Sequence, residues 1–181
     1  MEQPPPLHRL VNLDFEGSCY PSEGKSFPIE VAACRLSDGE ARAWLIRPHA
    51  DWEDWTWDPE AEAVHGLSRD RLEREGAEPR RVLVELTGFA AGLEPVSDSE
   101  SDAHWLKVLA DAAGLEPPFE IGSSAHVLKL MGIEGQTQDH PLWQEADRLA
   151  TERHPRAHRA EPDARRGAEI LRIVAERNGF A

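Results

Sequence analysis

Four carboxylates in this chain stand where carboxylates are costly. Asp14 and Glu16 close an otherwise apolar run from Leu10, and the two-residue period of a strand puts both on one face with Asn12, leaving Val11, Leu13 and Phe15 on the other. Adjacent acids there repel each other and lose hydration, which a solvated strand end tolerates and an intervening cation relieves. Asp102 heads a helical stripe of Trp105, Leu106, Leu109 and Ala113, and Asp163, just after Pro162, heads another with Gly167, Ile170 and Val174. A first-turn acid favoured by the helix dipole is the plainer account of each. Yet all four stand at one end of an element whose other inward positions are largely apolar. An all-oxygen donor set without cysteine suits magnesium or manganese rather than zinc. Two such ions about 3.5–4 Å apart can clamp the attacking and leaving oxygens of a phosphodiester in an in-line displacement. The attacking water then needs a base. His158, in the loop entering the last helix, is the candidate, because histidine ordinarily titrates near about pH 6.5.

Placing these side chains takes a sheet with helices against it. Alternating or continuous apolar runs predict strands over His8 to Phe15, Phe27 to Leu36 and Ala41 to Arg47, with Asp38-Gly39 marking a hairpin between the second and third. Helical spacing predicts Arg69 to Glu75 and Pro79 to Leu93, then, after a strand at Leu93 to Asp98, a helix over Ser101 to Ala113 closed by Gly114. A short strand at Pro118 to Gly122 leads to helical segments near Ala125 to Met131 and Pro141 to Glu152, and a last helix runs from Pro162 to about Arg177. Strands first, then alternating helix and strand, read as an α/β fold with a mixed five-stranded sheet in one domain over residues 1–181. Gly167 removes bulk where the last helix presses against something.

The 181 residues carry 34 acids and 20 bases, a formal charge of −14, which argues against holding duplex nucleic acid by charge alone. It leaves room for an enzyme whose excess acids bind metal ions. No apolar run is long enough to span a bilayer, so no membrane partner is expected. Met1 to Pro6 lack secretory-signal features, and Cys19 and Cys34 are the only cysteines, so cytoplasm is the expected location.

Taken in order, these segments resemble the DEDDh family of 3′-to-5′ exonucleases, the group of proofreading subunits, ribonuclease T and oligoribonuclease, with a ribonuclease H-like fold. The resemblance covers about residues 9–176. It lies in Leu13-Asp14-Phe15-Glu16, in Ser97-Asp98-Ser99-Glu100-Ser101-Asp102 followed by Trp105-Leu106, in His158-Arg159-Ala160-Glu161-Pro162-Asp163-Ala164, and in Ala63-Val64-His65-Gly66-Leu67-Ser68, similar to a His-Gly-Ile-Thr turn. The resemblance implies that Asp14, Glu16, Asp102 and Asp163 hold two divalent ions, magnesium or manganese, and that His158 deprotonates the attacking water. It further implies that Phe15, Gly17, His65, Gly66 and Leu67 line the pocket for the terminal nucleotide of a single-stranded RNA or DNA 3′ end. Several relatives act as dimers, so a homodimer is within what it implies. Asp14-Phe15-Glu16-Gly17-Ser18-Cys19 with Pro28-Ile29-Glu30-Val31 is similar to the histone-mRNA-type exoribonucleases and tilts the substrate toward RNA. The second motif departs from the frequent His-Asn start, with Ser97-Asp98 in its place. That departure supports the competing reading, a nucleotide-binding or protein-interaction module that has lost turnover.

Other groupings have two readings each. Trp52, Trp55 and Trp57 either stack bases or pin an irregular segment to the core. His154 and His158 have zinc-compatible spacing, but no HExxH glutamate or cysteine joins them. Arg153, Arg156, Arg159, Arg165 and Arg166 form either a solvated helix face or a basic rim for a short single strand. Cys34 alternates into the core of its strand, and neither cysteine has a histidine partner that would make it a nucleophile.

Overall fold

In the computed structural model, which describes residues 3–155 and 158–180, the strand bearing Asp14 and Glu16 is the middle of a five-stranded sheet. The strands are β1 (Leu10–Gly17), β2 (Pro28–Arg35), β3 (Ala41–Leu45), β4 (Glu94–Ser97) and β5 (Gly122–Ser123), in the order β3-β2-β1-β4-β5. The first three form an antiparallel meander, whereas β4 runs parallel to β1 and β5 parallel to β4. The expected hairpin follows from Asp38-Gly39: Gly39 takes a left-handed φ of 72°, and the Asp38 carboxylate accepts the Glu40 N–H at 2.9 Å.

The helices are α1 (Pro59–His65), α2 (Arg69–Glu75), α3 (Pro79–Phe89), α4 (Ser101–Ala113), α5 (Ser124–Leu130), α6 (Pro141–Arg153) and α7 (Ala160–Asn178). Strand alternation divides them into two layers. Val11, Leu13 and Phe15 of β1 pack with Val82, Leu86, Leu106 and Leu109 of α3 and α4. Leu10, with Ala32 and Cys34 of β2, packs with α5, α6 and the small residues Ala164 and Ala168 of α7. Each large apolar side chain buried this way contributes about 1.5–3 kcal/mol. Among the described residues, no helix is long and apolar enough to cross a membrane.

Three elements differ from the sequence expectation. β5 is two residues at the sheet edge rather than Pro118 to Gly122, because Pro117 and Pro118 offer no N–H to a ladder. Phe119 and Ile121 pack against the α3–α4 core instead. Pro79 to Leu93 stops as a helix at Phe89, and the chain turns at Gly92 with φ 77°. α1 was unexpected, although its signals are present: Asp58 caps it by accepting the Glu60 N–H at 2.9 Å, Pro59 opens it, and left-handed Gly66 ends it.

The helix that presses on β1 does so at Gly167. A Cβ there would run into the side-chain amide of Asn12, whose Nδ2 donates to the Ala164 carbonyl at 3.1 Å. This close approach seats the first turns of α7, and with them Asp163, against the face of β1 that carries Asp14.

Candidate active site

Parallel strands with helices beyond their ends leave a crevice at the strand C-termini, and here it forms where β4 ends and β1 runs on past it to Gly17. Asp14 and Glu16 enter it from β1, Asp102 from the first turn of α4 and Asp163 from the first turn of α7. Carboxylate oxygens of Asp14, Glu16 and Asp163 all lie within 4.8 Å of one another. Asp102 is 1% exposed and held from two sides: Ser97 Oγ donates to its Oδ2 at 2.5 Å, and the Phe15 N–H donates to its carboxylate. The Ser97 hydroxyl in turn accepts the Ser99 N–H at 3.0 Å, so Ser97 fixes both the loop and the acid that follows it. All four acids, with Asp98 and His158, line one cleft of about 390 Å³.

Crowding raises the proton affinity of these groups. Burial pushes Asp14 well above the usual carboxylate range, and the charges of Asp102, Glu16, Asp163 and Asp98 add to it. Burial likewise pushes Asp102 up to about 8, reinforced by Asp98 and Glu16 and opposed by the bonds from Ser97 and Phe15. A set of oxygen donors that repel one another and draw in protons is one that a hard divalent cation would relieve, so the residues present fit magnesium or manganese.

The described arginines nearby bond mainly to other acids. Arg166 lines the cleft but bonds to Asp147 and Thr151, Arg165 to Glu161 and the Gly39 carbonyl, Arg153 to Glu169, and Arg159 to Glu30. The described members of the basic rim considered from sequence are therefore tied into ion pairs within the chain. Arg156 lies outside the described residues.

Of the residues expected to meet a terminal nucleotide, Phe15, Gly17 and His65 line the cleft, and Gly66 and Leu67 do not. The Phe15 ring is buried in the α3–α4 core, so its backbone is what faces the opening. Gly17 is required by close approach, since a Cβ would enter the Trp105 ring, itself fixed by an Nε1 bond to Ser26 Oγ at 2.8 Å. Leu67 is fully buried, and its N–H donates to His65 Nδ1 at 3.0 Å. His65 is 5% exposed, and burial holds its pKa below the ordinary value, so the ring is neutral with its proton on Nε2.

Sequence reasoning missed the outer wall, formed by Tyr20, Glu23, the α1 cap Asp58 and, from α1, Glu60 and Val64. The Asp58-Pro59 start signal would have found α1. The three tryptophans are pinned to the core: Trp52 stacks on Phe27 at 5.2 Å, Trp55 and Trp57 pack beside it, and none lines the cleft. His154 is also outside the cleft, and the grouping of metal-competent side chains found among the described residues contains neither histidine. Burial pushes the Cys34 thiol up to about 11, consistent with a core position.

No protein-family model matches the chain, and no curated protein sequence matches it. Solved structures do. The nuclease domain of 3′hExo, a DEDDh family member bound to rAMP, superposes with a TM-score of 0.71 at 15% identity over 94% of this chain and 92% of that one. Exonuclease I from Methylocaldum szegediense gives 0.69 at 18% identity, and the zinc-bound E. coli exonuclease I complex with single-stranded DNA gives 0.66 at 15%. Each covers 93% of this chain, which spans 40% of the length of those two. At such identities the likeness is one of fold: the mixed sheet with helices on both faces is the ribonuclease H-like architecture of these exonuclease domains.

Proposed function

We propose that the chain is a single metal-dependent 3′-to-5′ exonuclease domain of the DEDDh type, hydrolysing the terminal phosphodiester of short single-stranded nucleic acid. The observation that carries this is the convergence of Asp14, Glu16 and Asp163 within 4.8 Å, beside buried Asp102 and in one cleft with His158. These four acids would hold two divalent ions, magnesium or manganese. When bound, such ions supply the positive charge that phosphodiester oxygens need at an otherwise acidic site. Asp102 enters with its geometry set by Ser97 and Phe15, so little reorganisation is left for the reaction. His158, exposed on the cleft wall, takes the proton of the attacking water. Backbone at Phe15 and Gly17, with His65, would form the wall for the terminal nucleotide, and the turn through Gly66 and Leu67 would hold the His65 ring in place behind it.

The charge distribution supports a short substrate. Glu23, Asp58 and Glu60 line the outer wall, and the described arginines of the third motif are paired internally, so a long polyanion gains little along the surface. The structural neighbours hold rAMP in one case and dT13 or dA16 in others, which leaves RNA, favoured by the motif likeness, and DNA as the two substrates to compare.

The test is degradation of matched 5′-labelled RNA and DNA oligonucleotides with manganese, magnesium or chelator. Metal-dependent shortening from the 3′ end, lost in Asp14→Ala, is the expected result. His158→Ala should lower turnover by about 100-fold or more while the metal-induced rise in melting temperature persists. Clear metal binding without cleavage of either substrate would falsify the enzyme reading in favour of a binding module altered at Ser97-Asp98.

A further inference from the structure

The loop that delivers His158 is anchored from the far side of the site. Glu30 of β2 stands directly across from Glu16 in the antiparallel register and is 3% exposed. Its Oε2 accepts from Arg159 Nε at 2.8 Å and its Oε1 from Arg159 Nη2 at 2.5 Å. Oε2 also accepts the Ala160 N–H at 3.1 Å. Two parallel bonds from a planar guanidinium fix orientation as well as distance, and the third captures an N–H of the first turn of α7. No side chain of the N-cap residue, Arg159 itself, caps that helix, so Glu30 does so from another element.

Stability alone is a weak reason for such an arrangement. Burying Glu30 costs hydration that its pairing with the partly exposed Arg159 only partly returns, and a local Ser or Asp would cap the helix without burying that charge. What the fork does fix is the backbone immediately after His158. That residue has a φ of 48°, the left-handed region that side-chain-bearing residues seldom adopt, and among the described non-glycine residues it is alone in this. Four residues beyond Arg159, on the same helix start, stands Asp163. Both Glu30 oxygens are occupied, so this neighbour of Glu16 stays out of the carboxylate cluster.

We propose that Glu30 and Arg159 form a clamp whose role is to position His158 over the carboxylate cluster, an inference that rests on the reading of His158 as the base. They are positioning residues: neither touches the reacting atoms. Since a displacement of about 1 Å at a reacting group can cost on the order of 100-fold, loosening the clamp should lower kcat by about 10- to 100-fold.

The experiment is a double-mutant cycle on the full chain, with kcat and KM measured on a 5′-labelled oligonucleotide in manganese. Glu30→Gln should lower kcat as stated, leaving KM and the manganese-induced rise in melting temperature within about twofold of the parent. In a His158→Ala background the same substitution should change kcat by less than about threefold, because the group it positions is gone. The double variant Glu30→Gln with Arg159→Gln leaves no lone buried charge and should show the same non-additivity, which covers the case in which Glu30→Gln alone does not fold. Equal fold losses in both backgrounds, or a kcat unchanged by Glu30→Gln in the otherwise wild-type protein, overturn the clamp and leave the exonuclease reading standing. A wild type with no metal-dependent shortening, or a fully active His158→Ala, overturns the reading beneath it and the clamp together.

Discussion

Asp102 offers a quantitative handle on the site, because its proton affinity is raised by the structure itself. Its carboxyl titrates near 3.8 when unperturbed and is pushed up to about 8 in the fold, chiefly by burial. A raised folded pKa means that this group's contribution to stability is fully present below the unfolded value and is lost as pH rises through the folded one. Between pH 4 and pH 7 the loss is at most about 4 kcal/mol, at about 1.4 kcal/mol per pH unit. Asp102→Asn removes that titration. Its amide oxygen can still accept from Ser97, whereas the amino group faces the Phe15 N–H and imposes a penalty that does not depend on pH. The informative quantity is therefore how the difference in melting temperature between variant and wild type changes with pH, in EDTA. It should move in the variant's favour by up to about 8–16 °C from pH 4 to pH 7, at about 2–4 °C per kcal/mol for a chain of this size. With manganese the order should reverse toward neutral pH, since binding displaces the proton in wild type and the variant has lost a donor. A difference that stays flat with pH in EDTA would refute the electrostatic account of the cluster.

Asp14→Asn should leave the metal-free protein at neutral pH at least as stable as wild type, by relieving repulsion with Asp102, Glu16 and Asp163, while abolishing the manganese-dependent rise in melting temperature. Thermal scans with and without the ion check both halves. Gly167→Ala should cost about 1–3 kcal/mol in urea unfolding, because its methyl group meets Asn12 and lifts α7 off β1. Activity should fall with it, as Asp163 rides on the same helix.

What could be read before the fold was known was whatever a single element's periodicity encodes. The period of two in β1 separated Asn12, Asp14 and Glu16 from Val11, Leu13 and Phe15 because both faces of a central strand are covered. The stripes behind Asp102 and Asp163 were legible for the same reason, one face of each helix being fully buried. The short edge strand was not, since two prolines override an apolar run that otherwise reads as β. α1 was obscured by tryptophans and acids, even though its caps were in view. Least legible were contacts between distant segments. Nothing local announces that Glu30 receives Arg159, or that each described arginine around the third motif has an acid as partner. Charge in the sequence says how many ions exist, and only the fold says which are already spent.

That last point separates two ways in which an acidic protein could hold a polyanion. At physiological ionic strength the screening length is about 8 Å, so the net charge of −14 acts on a strand only near the surface. A basic track would overcome it by displacing counterions from many phosphates, and a protein with 6–10 such contacts loses about 10³–10⁵ in affinity between 50 and 200 mM salt. This cleft has acids on its outer wall and its arginine Arg166 tied to Asp147 and Thr151. Attraction would therefore be concentrated at the ions held by Asp14, Glu16, Asp102 and Asp163. KM for a short oligonucleotide should change by less than about threefold over that salt range, and lengthening the strand should not lower it. Steady-state rates on oligonucleotides of graded length, at fixed manganese and varied potassium chloride, measure both. A steep loss with salt, or a KM that falls with each added nucleotide, would mean that a strand follows a cationic path along the surface, and the short-substrate reading would be wrong.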